Sequence, residues 1–430
     1  MNKKFQLSED WSSTLMGGFI ILLVVLVYSF KLIDVPWPSF NWTNSDELVD
    51  KIFAFDNLWH TIIVFLFSFA IVVITNMMAG KKWKDNLGYL VVFILTFIAM
   101  MLAGNKFMKD WGIETVIFSL LIGLFISNVF GVPEWIKGAL SSEMYVKIGL
   151  VLLGTTVLFD NLMKLGAVGI IQSVIVVFGV WYFSFWICKK MKVDEEMSMM
   201  LSSAVSICGV SAAVATAGAI KGDRTKLSYV VSLVMVVAVP MIFLMPALAK
   251  VIGLNEIMAG AWIGGTVDTT GAVVATGAIY GEEAKNASVI IKSSQNVLLG
   301  VAAFLISIYW TYKHSRGKMG GETKYADKPS IKLLWERFPK FVLGFIAASL
   351  LFSFIINPAD NQPAMETIKK MQGLWFAIAF TSIGLETRFK NFINRGNRKA
   401  TFAFIIAQTF NIIFTLLVVL LIQYLLGYSA

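Results

Sequence analysis

Asp268 stands in the run Gly264-Gly265-Thr266-Val267-Asp268-Thr269-Thr270-Gly271, one of the few carboxylates set in an otherwise uncharged apolar stretch of this chain. An ionised carboxylate in hydrocarbon is costly, so it must be paired, hydrated, protonated or bound to a cation. A carboxyl that takes up and releases a proton suits a proton carrier. Carbonyls freed around Gly264 and Gly271, with the hydroxyls of Thr266, Thr269 and Thr270, suit Na⁺ near Asp268 and Thr270 instead. A third reading stays open: Asp268 as a structural cap of a helix restarting at Thr270 or Gly271.

A second run, Ser202-Ser203-Ala204-Val205-Ser206-Ile207-Cys208-Gly209-Val210-Ser211, carries the complementary chemistry. A helix interrupted there frees N–H and C=O groups that only protein or a wet cavity can satisfy. Restarting after Gly209, it would aim its positive end and the hydroxyls of Ser206 and Ser211 at an anion. Ser206, Cys208, Gly209 and Ser211 are therefore candidate substrate contacts, with Gly265, Thr266, Thr269 and Thr270 opposite. The bland alternative is close helix packing by small residues. Downstream, Lys292, Gln295 and Asn296 form a polar group inside an apolar helix. Lys292 can snorkel, pair with Asp268 or attract an anion, whereas Gln295 and Asn296 are too short to reach water.

These residues sit in a chain of 430 residues that is 57% hydrophobic and 15% charged, with a mean hydropathy of +0.74. Water-soluble domains do not reach that composition, so the chain reads as an all-α polytopic membrane protein. Apolar windows near 14–33, 58–79, 88–104, 113–131, 145–159, 166–188, 228–252, 287–312, 338–357, 367–386 and 400–427 predict about 11 spanning helices. Two stretches rich in Gly, Ser, Thr and Ala, 197–220 and 258–280, read as broken or re-entrant elements. The chain opens polar through Ser13 and then runs apolar past Ile33 without a cleavage pattern, so that segment is kept as a membrane helix. Cys188 and Cys208 form no disulfide framework or metal motif. No His-Glu-x-x-His, Gly-x-Ser-x-Gly or phosphate-loop pattern occurs, so neither an enzyme nor a cofactor is expected.

The net charge of +9 reads as orientation and not as nucleic-acid binding. Lys81, Lys82, Lys84, Lys189, Lys190, Lys192, the 313–340 connection and Arg388, Lys390, Arg395, Arg398 and Lys399 predict the cytoplasmic loops. The amino terminus is then cytoplasmic and the carboxyl terminus outside. Lys221, Arg224 and Lys226 obey the rule only if 197–220 returns as a hairpin. Segments 148–166 and 378–396 match at a constant offset of 230 (384 − 154), sharing Ile148/Ile378, Gly154/Gly384, Phe159/Phe389, Asn161/Asn391 and Gly166/Gly396. Opposite exits for the two segments predict an inverted-topology repeat of the secondary-transporter kind. Ala212–Ile220 and Ala272–Ile279 also resemble each other. The expected organisation is scaffold helices over 1–144, a transport core over 145–312, the connection 313–340 and carboxyl-terminal helices over 341–430.

The Ser206–Ala212 run, Gly260-Ala261-Trp262-Ile263-Gly264 with Thr266-Val267, Lys292, and Gly384-Leu385-Glu386-Thr387 together resemble the sulfate exporter (YeiH-like) family of bacterial inner-membrane proteins, over most of 145–400. That family is grouped with the cation/proton antiporter and anion transporter clan, and Gly149 through Pro240 is similar in motif order to the clan's bile-acid/sodium symporters. The resemblance implies broken helices meeting near the midplane and export of a small anion such as sulfate or a sulfonate. Where many members carry His-Glu after Thr-Val, this chain has Asp268-Thr269, and Gln295 replaces an expected Arg. The expected protein is an anion transporter of the bacterial inner membrane, coupled to H⁺ or Na⁺, with a homodimer left open. A cation/proton antiporter using Asp268, a passive channel and a non-transporting membrane sensor are the competing readings.

Overall fold

The computed structural model describes residues 7–30, 35–110, 115–157, 159–315, 335, 338–356, 361–389 and 398–426. Most of the 313–340 connection, Lys390, Asn391, Arg395, Gly396 and the last residues of the chain lie outside them. In chain order the main helices are α1 (Glu9–Ser29), α2 (Phe55–Met78), α3 (Tyr89–Ala103), α4 (Thr115–Val129), α5 (Ser142–Leu153), α6 (Phe159–Lys190), α7 (Glu195–Ser203), α8 (Val210–Ile220), α9 (Arg224–Ile252), α10 (Glu256–Thr266), α11 (Thr270–Tyr280), α12 (Glu282–Ser315), α13 (Lys340–Leu350), α14 (Gln362–Glu386) and α15 (Arg398–Leu426). No strand occurs among the described residues beyond one bridge between Trp42 and Asn105.

Seven of the described helical stretches are long and apolar enough to cross a membrane, from Glu9–Ser29 to Arg398–Leu425. Four shorter apolar ones, among them Thr115–Val129 and Lys340–Ile355, add to that set. The chain is thus a multi-pass helical membrane protein, with each long helix satisfying its own backbone polar groups as hydrocarbon demands.

By internal contact the chain divides into two units, Met1–Asp160 with Lys340–Thr387, and Asn161–Pro339 with Arg388–Ala430. This grouping is discontinuous, unlike the four consecutive stretches expected from sequence. In the first unit α5 and α14 run antiparallel. The Ser142 hydroxyl donates to Glu386 Oε2 (2.6 Å) at one end, while Gly149 faces Phe376 further along. The segments matched at offset 230 therefore include the ends of two oppositely directed helices. Their shared glycines do similar work: a Cβ on Gly154 would lie 2.4 Å from Phe345 O, and one on Gly384 would lie 2.5 Å from Leu120 O. Each glycine lets one helix press against the backbone of another.

The second unit contains α6 to α12 and α15, and two of its parts are helical hairpins. The first is α7, a π-turn over Ala204–Cys208, Gly209 and α8. Its two ends return to one place: Glu196 Oε2 accepts from Asp223 N (3.3 Å) and from Lys226 Nζ (3.1 Å). The second is α10, the link Val267–Thr269 and α11, closed by Glu256 Oε2 accepting from Glu283 N (2.9 Å) and Ala284 N (3.2 Å). Local sequence sets the helix starts: Asp194, Asp223, Asn255 and Thr269 each accept a backbone N–H as N-cap of the helix that follows. The helix α12 starts beside the base of the second hairpin and, at Lys313, pairs with Glu195 at the base of the first. The hairpins thus enter the unit from opposite ends. Lys221, Arg224 and Lys226 lie at the same end as Lys189, Lys190 and Lys192, the arrangement the charge pattern required.

Candidate functional site

The two hairpin tips meet inside the second unit. Gly209 adopts φ 61° and ψ −112°, and a Cβ there would fall 3.1 Å from the Thr269 methyl and 3.3 Å from Asp268 O. Only glycine takes that backbone without strain, and only glycine leaves room for the opposite tip. Helices α8 and α11 both begin at this junction, so two sets of backbone N–H groups and two positive dipole ends converge on it. The arms that precede them, α7 with its π-turn and α10, end there and bring carbonyls that need donors.

Side chains from α12 and α15 supply those donors. Lys292 Nζ donates to Ile207 O (2.5 Å) and to Gln295 Oε1 (2.9 Å). Gln295 Nε2 then bridges the hairpins, to Ser206 O (2.7 Å) and Gly265 O (3.4 Å). Asn411 Nδ2 makes a second bridge, to Val205 O and Thr266 O (3.1 Å each), while Thr415 donates to its Oδ1 (2.8 Å). Gln408 Nε2 adds a bond to Thr266 O (3.0 Å).

Asp268 is 1% exposed, and neither of its carboxylate oxygens has a hydrogen-bond partner. Lys292, also 1% exposed, acts on it through space and not through a direct ion pair, and the Gln408 amide lies close beside it. Thr266 Oγ1, Asn296 Oδ1 and Gln408 Oε1 are likewise buried and unpartnered. A buried acceptor left unmatched costs roughly 1–3 kcal/mol, more when charged. Such a concentration of orphaned oxygens beside a carboxylate fits a proton or a small desolvated cation.

The structure brings nearly all of the sequence-selected residues together here. Thr269 caps α11 by accepting from Ala272 N (3.2 Å), and Thr270 Oγ1 accepts from Asn296 Nδ2 (3.2 Å). Gly265 is needed for packing, since a Cβ would lie 2.7 Å from Gln172 Nε2. The Ser206 hydroxyl donates back to Ser202 O (2.7 Å), so in this conformation its proton faces its own helix and not the junction. Cys208 lies buried at the end of the π-turn, and Ser211 is in the first turn of α8. Lys292 does not snorkel. Sequence reasoning missed Gln408 and Asn411, although Gln408, Asn411 and Thr415 recur at helical spacing on one face of an apolar helix, a legible sign of a polar stripe.

The base of the first hairpin is ionic. Lys226 bonds Asp194 (2.7 Å) and Glu196 (3.1 Å), while Glu195 is shared by Lys189 (3.8 Å) and Lys313. Partial burial alone would raise the Asp194 pKa, but the Lys226 ammonium and the Met197 N–H outweigh it and hold the carboxyl below its ordinary value.

Two opposed helical hairpins, with a buried polar junction where their tips meet, mark the second unit of this multi-pass helical membrane protein. The family model described as conserved hypothetical protein 698 matches residues 87–403, and the chain belongs to that family. It is 38% identical over 312 residues to a UPF0324 membrane protein of Rhodopirellula baltica, covering 70% of this chain and 56% of that protein. A UPF0324 membrane protein of Nitratidesulfovibrio vulgaris is 37% identical over 326 residues (72% and 55%), and one of Clostridium tetani is 26% identical over 298 residues (68% and 85%). The chain thus spans little more than half the length of the first two relatives. No solved structure matches it. The relatives' descriptions name a membrane protein and no substrate, so sulfate rests on the residue resemblance alone.

Proposed function

We propose that this protein is a secondary active transporter that moves a small anion, coupled to H⁺ or Na⁺, by alternating access. One observation carries the reading: two hairpins enter the second unit from opposite ends and their tips meet at Gly209 and Asp268-Thr269. A site reached by a hairpin from each end can be opened to one side by displacing one hairpin while the other keeps it closed. The converging N-termini of α8 and α11 suit the anion, a sulfate or sulfonate in the resemblance. Asp268 and the orphaned oxygens suit the coupling ion. Asp268 and Lys292 cancel in charge, so an incoming anion is best compensated by a cation bound with it.

By the charge rule the first hairpin opens from the cytoplasm, the second from outside, and the amino terminus lies inside a bacterial inner membrane. Any homodimer contact is assigned to the first unit, leaving the hairpins free to move.

The test is purified protein in liposomes on a solid-supported membrane, challenged with sulfate, sulfite, sulfonates and small carboxylates under set Na⁺ and pH gradients, beside Asp268→Asn. A transient current that needs one anion and loses its gradient dependence in Asp268→Asn is expected. The unpartnered Asp268 carboxylate favours a cation/proton antiporter as second reading, and currents driven by cation or pH jumps alone would select it. Large unitary currents would select a channel. Silence across the panel in folded protein would leave the sensor reading.

A further inference from the structure

A groove of about 300 Å³ runs along the second unit between α6 and α12, from an inner end at Val177 and Leu298 that packs with Ile207 and Cys208 out to the base of the first hairpin. Phe178, Trp181 and Tyr182 line one wall, Leu305 and Tyr309 the other, and Met199 of the first hairpin contributes to its floor. Tyr182 and Tyr309 are 64% and 45% exposed, so the groove is open to the surroundings of the chain. The α12 wall extends from Leu298 to Tyr309, about 16 Å at the helical rise of ~1.5 Å per residue. One leaflet of a bilayer's hydrocarbon is about 15 Å deep.

The mouth of the groove is basic and built on its own lining. Lys189 Nζ lies 5.8 Å from the ring centroid of Phe185, and Lys313 Nζ lies 5.6 Å from that of Tyr309, both rings being part of the groove. The two lysines share one carboxylate, Glu195, and remain 46% and 41% exposed at their side chains. Two cations and one anion leave a net charge of +1, the complement of a single phosphodiester.

We propose that this groove seats an acyl chain of an anionic phospholipid whose phosphate rests between Lys189 and Lys313. A zwitterionic lipid brings a third cation to a site already positive, whereas phosphatidylglycerol neutralises it. Because Met199 and Glu195 belong to the first hairpin, an occupied groove also braces that hairpin at its base.

The experiment is native mass spectrometry and thermal-shift measurement on the purified full chain with phosphatidylglycerol or phosphatidylcholine. Phosphatidylglycerol should be retained preferentially, by roughly fivefold for each lysine engaged. The double variant Lys189→Gln/Lys313→Gln should bring that preference close to one. Val301→Trp, which places a large side chain on the groove wall, should reduce retention of both lipids. Glu195→Gln should increase the preference, a change of sign that general loss of structure cannot imitate. Equal retention of the two lipids by the native chain, an unchanged preference in the double variant, or undiminished retention in Val301→Trp would overturn the proposal.

Discussion

The two hairpins are built alike and equipped differently. Glu196 and Glu256 stand 60 residues apart (256 − 196), as do the tips Gly209 and Thr269 and the backbone N–H groups that the two glutamates hold, at Asp223 and Glu283. The second arms, Val210–Ile220 and Thr270–Tyr280, follow the same spacing and share Ala-x-Val-Ala-Thr at 212–216 and 272–276. Even the bridges alternate. Gln295 joins Ser206 O to Gly265 O, and Asn411 joins Val205 O to Thr266 O, with Val205 equivalent to Gly265 and Ser206 to Thr266. The differences lie in chemistry. The first tip is one glycine, whereas the second carries Asp268. Positions 292, 295 and 296 on α12 are Lys, Gln and Asn, whereas the corresponding 232, 235 and 236 on α9 are Ser, Met and Val. The repeated framework determines where the tips meet, and the unrepeated residues give the junction its polarity.

The comparison breaks first at the charges. Lys292→Leu should destabilise the protein by about 3–5 kcal/mol, because it leaves Asp268 as an uncompensated buried charge. The double change Lys292→Leu/Asp268→Asn should recover most of that loss in thermal unfolding of the purified protein. Additive losses would show that the two residues act independently.

A sharper test concerns the bridges. Gln295→Ala takes the side-chain donor from Ser206 O and Gly265 O, whereas Asn411→Ala takes it from Val205 O and leaves Thr266 O to Gln408, and each should cost about 1–3 kcal/mol. Losses in that range from both would support the alternating pattern, and a loss near zero from either would show that bridge to be incidental. At the tips, Gly209→Ala forces a strained backbone and should cost about 1–3 kcal/mol, against about 1 kcal/mol for removing the α11 cap with Thr269→Ala. Matching effects at the two positions would contradict a single-residue turn opposed to a capped one.

The smallest effect belongs to the hairpin bases. Because Asp194 is held below its ordinary pKa, it contributes stability that is complete above the unfolded value of about 3.9 and fades as pH falls through the lower folded value. Lys226→Gln should remove part of that acid dependence and cost under about 1 kcal/mol, as a half-exposed ion pair does. Unfolding measured between pH 3 and pH 6 checks this.

Much of the junction was legible because hydrocarbon restricts what a sequence can contain. A carboxylate between glycines and threonines, or Lys-Ser-Ser-Gln-Asn inside an apolar helix, stands out where burial of polarity is costly. The charge pattern leaned towards a hairpin at 197–220, because only a returning chain puts Lys221, Arg224 and Lys226 on the basic side. Gln408 and Asn411 escaped because two amides in an otherwise regular helix carry no charge and no break, and their partners are carbonyls some 140 to 206 residues away. The grouping into units was equally hidden, since Lys340–Thr387 joins Met1–Asp160 across the whole second unit.

The sequence by itself determined that the chain is a helical membrane protein, where its helices are interrupted and which residues are too polar to face lipid, because composition and periodicity are local properties paid against one solvent. Only the tertiary structure decided that both interruptions are hairpins entering from opposite ends, that their tips meet at Gly209 and Asp268, and that Lys292 is held by Ile207 O and not by Asp268. Those outcomes depend on which distant carbonyl a side chain can reach once the helices pack, and no spacing along the chain encodes that distance.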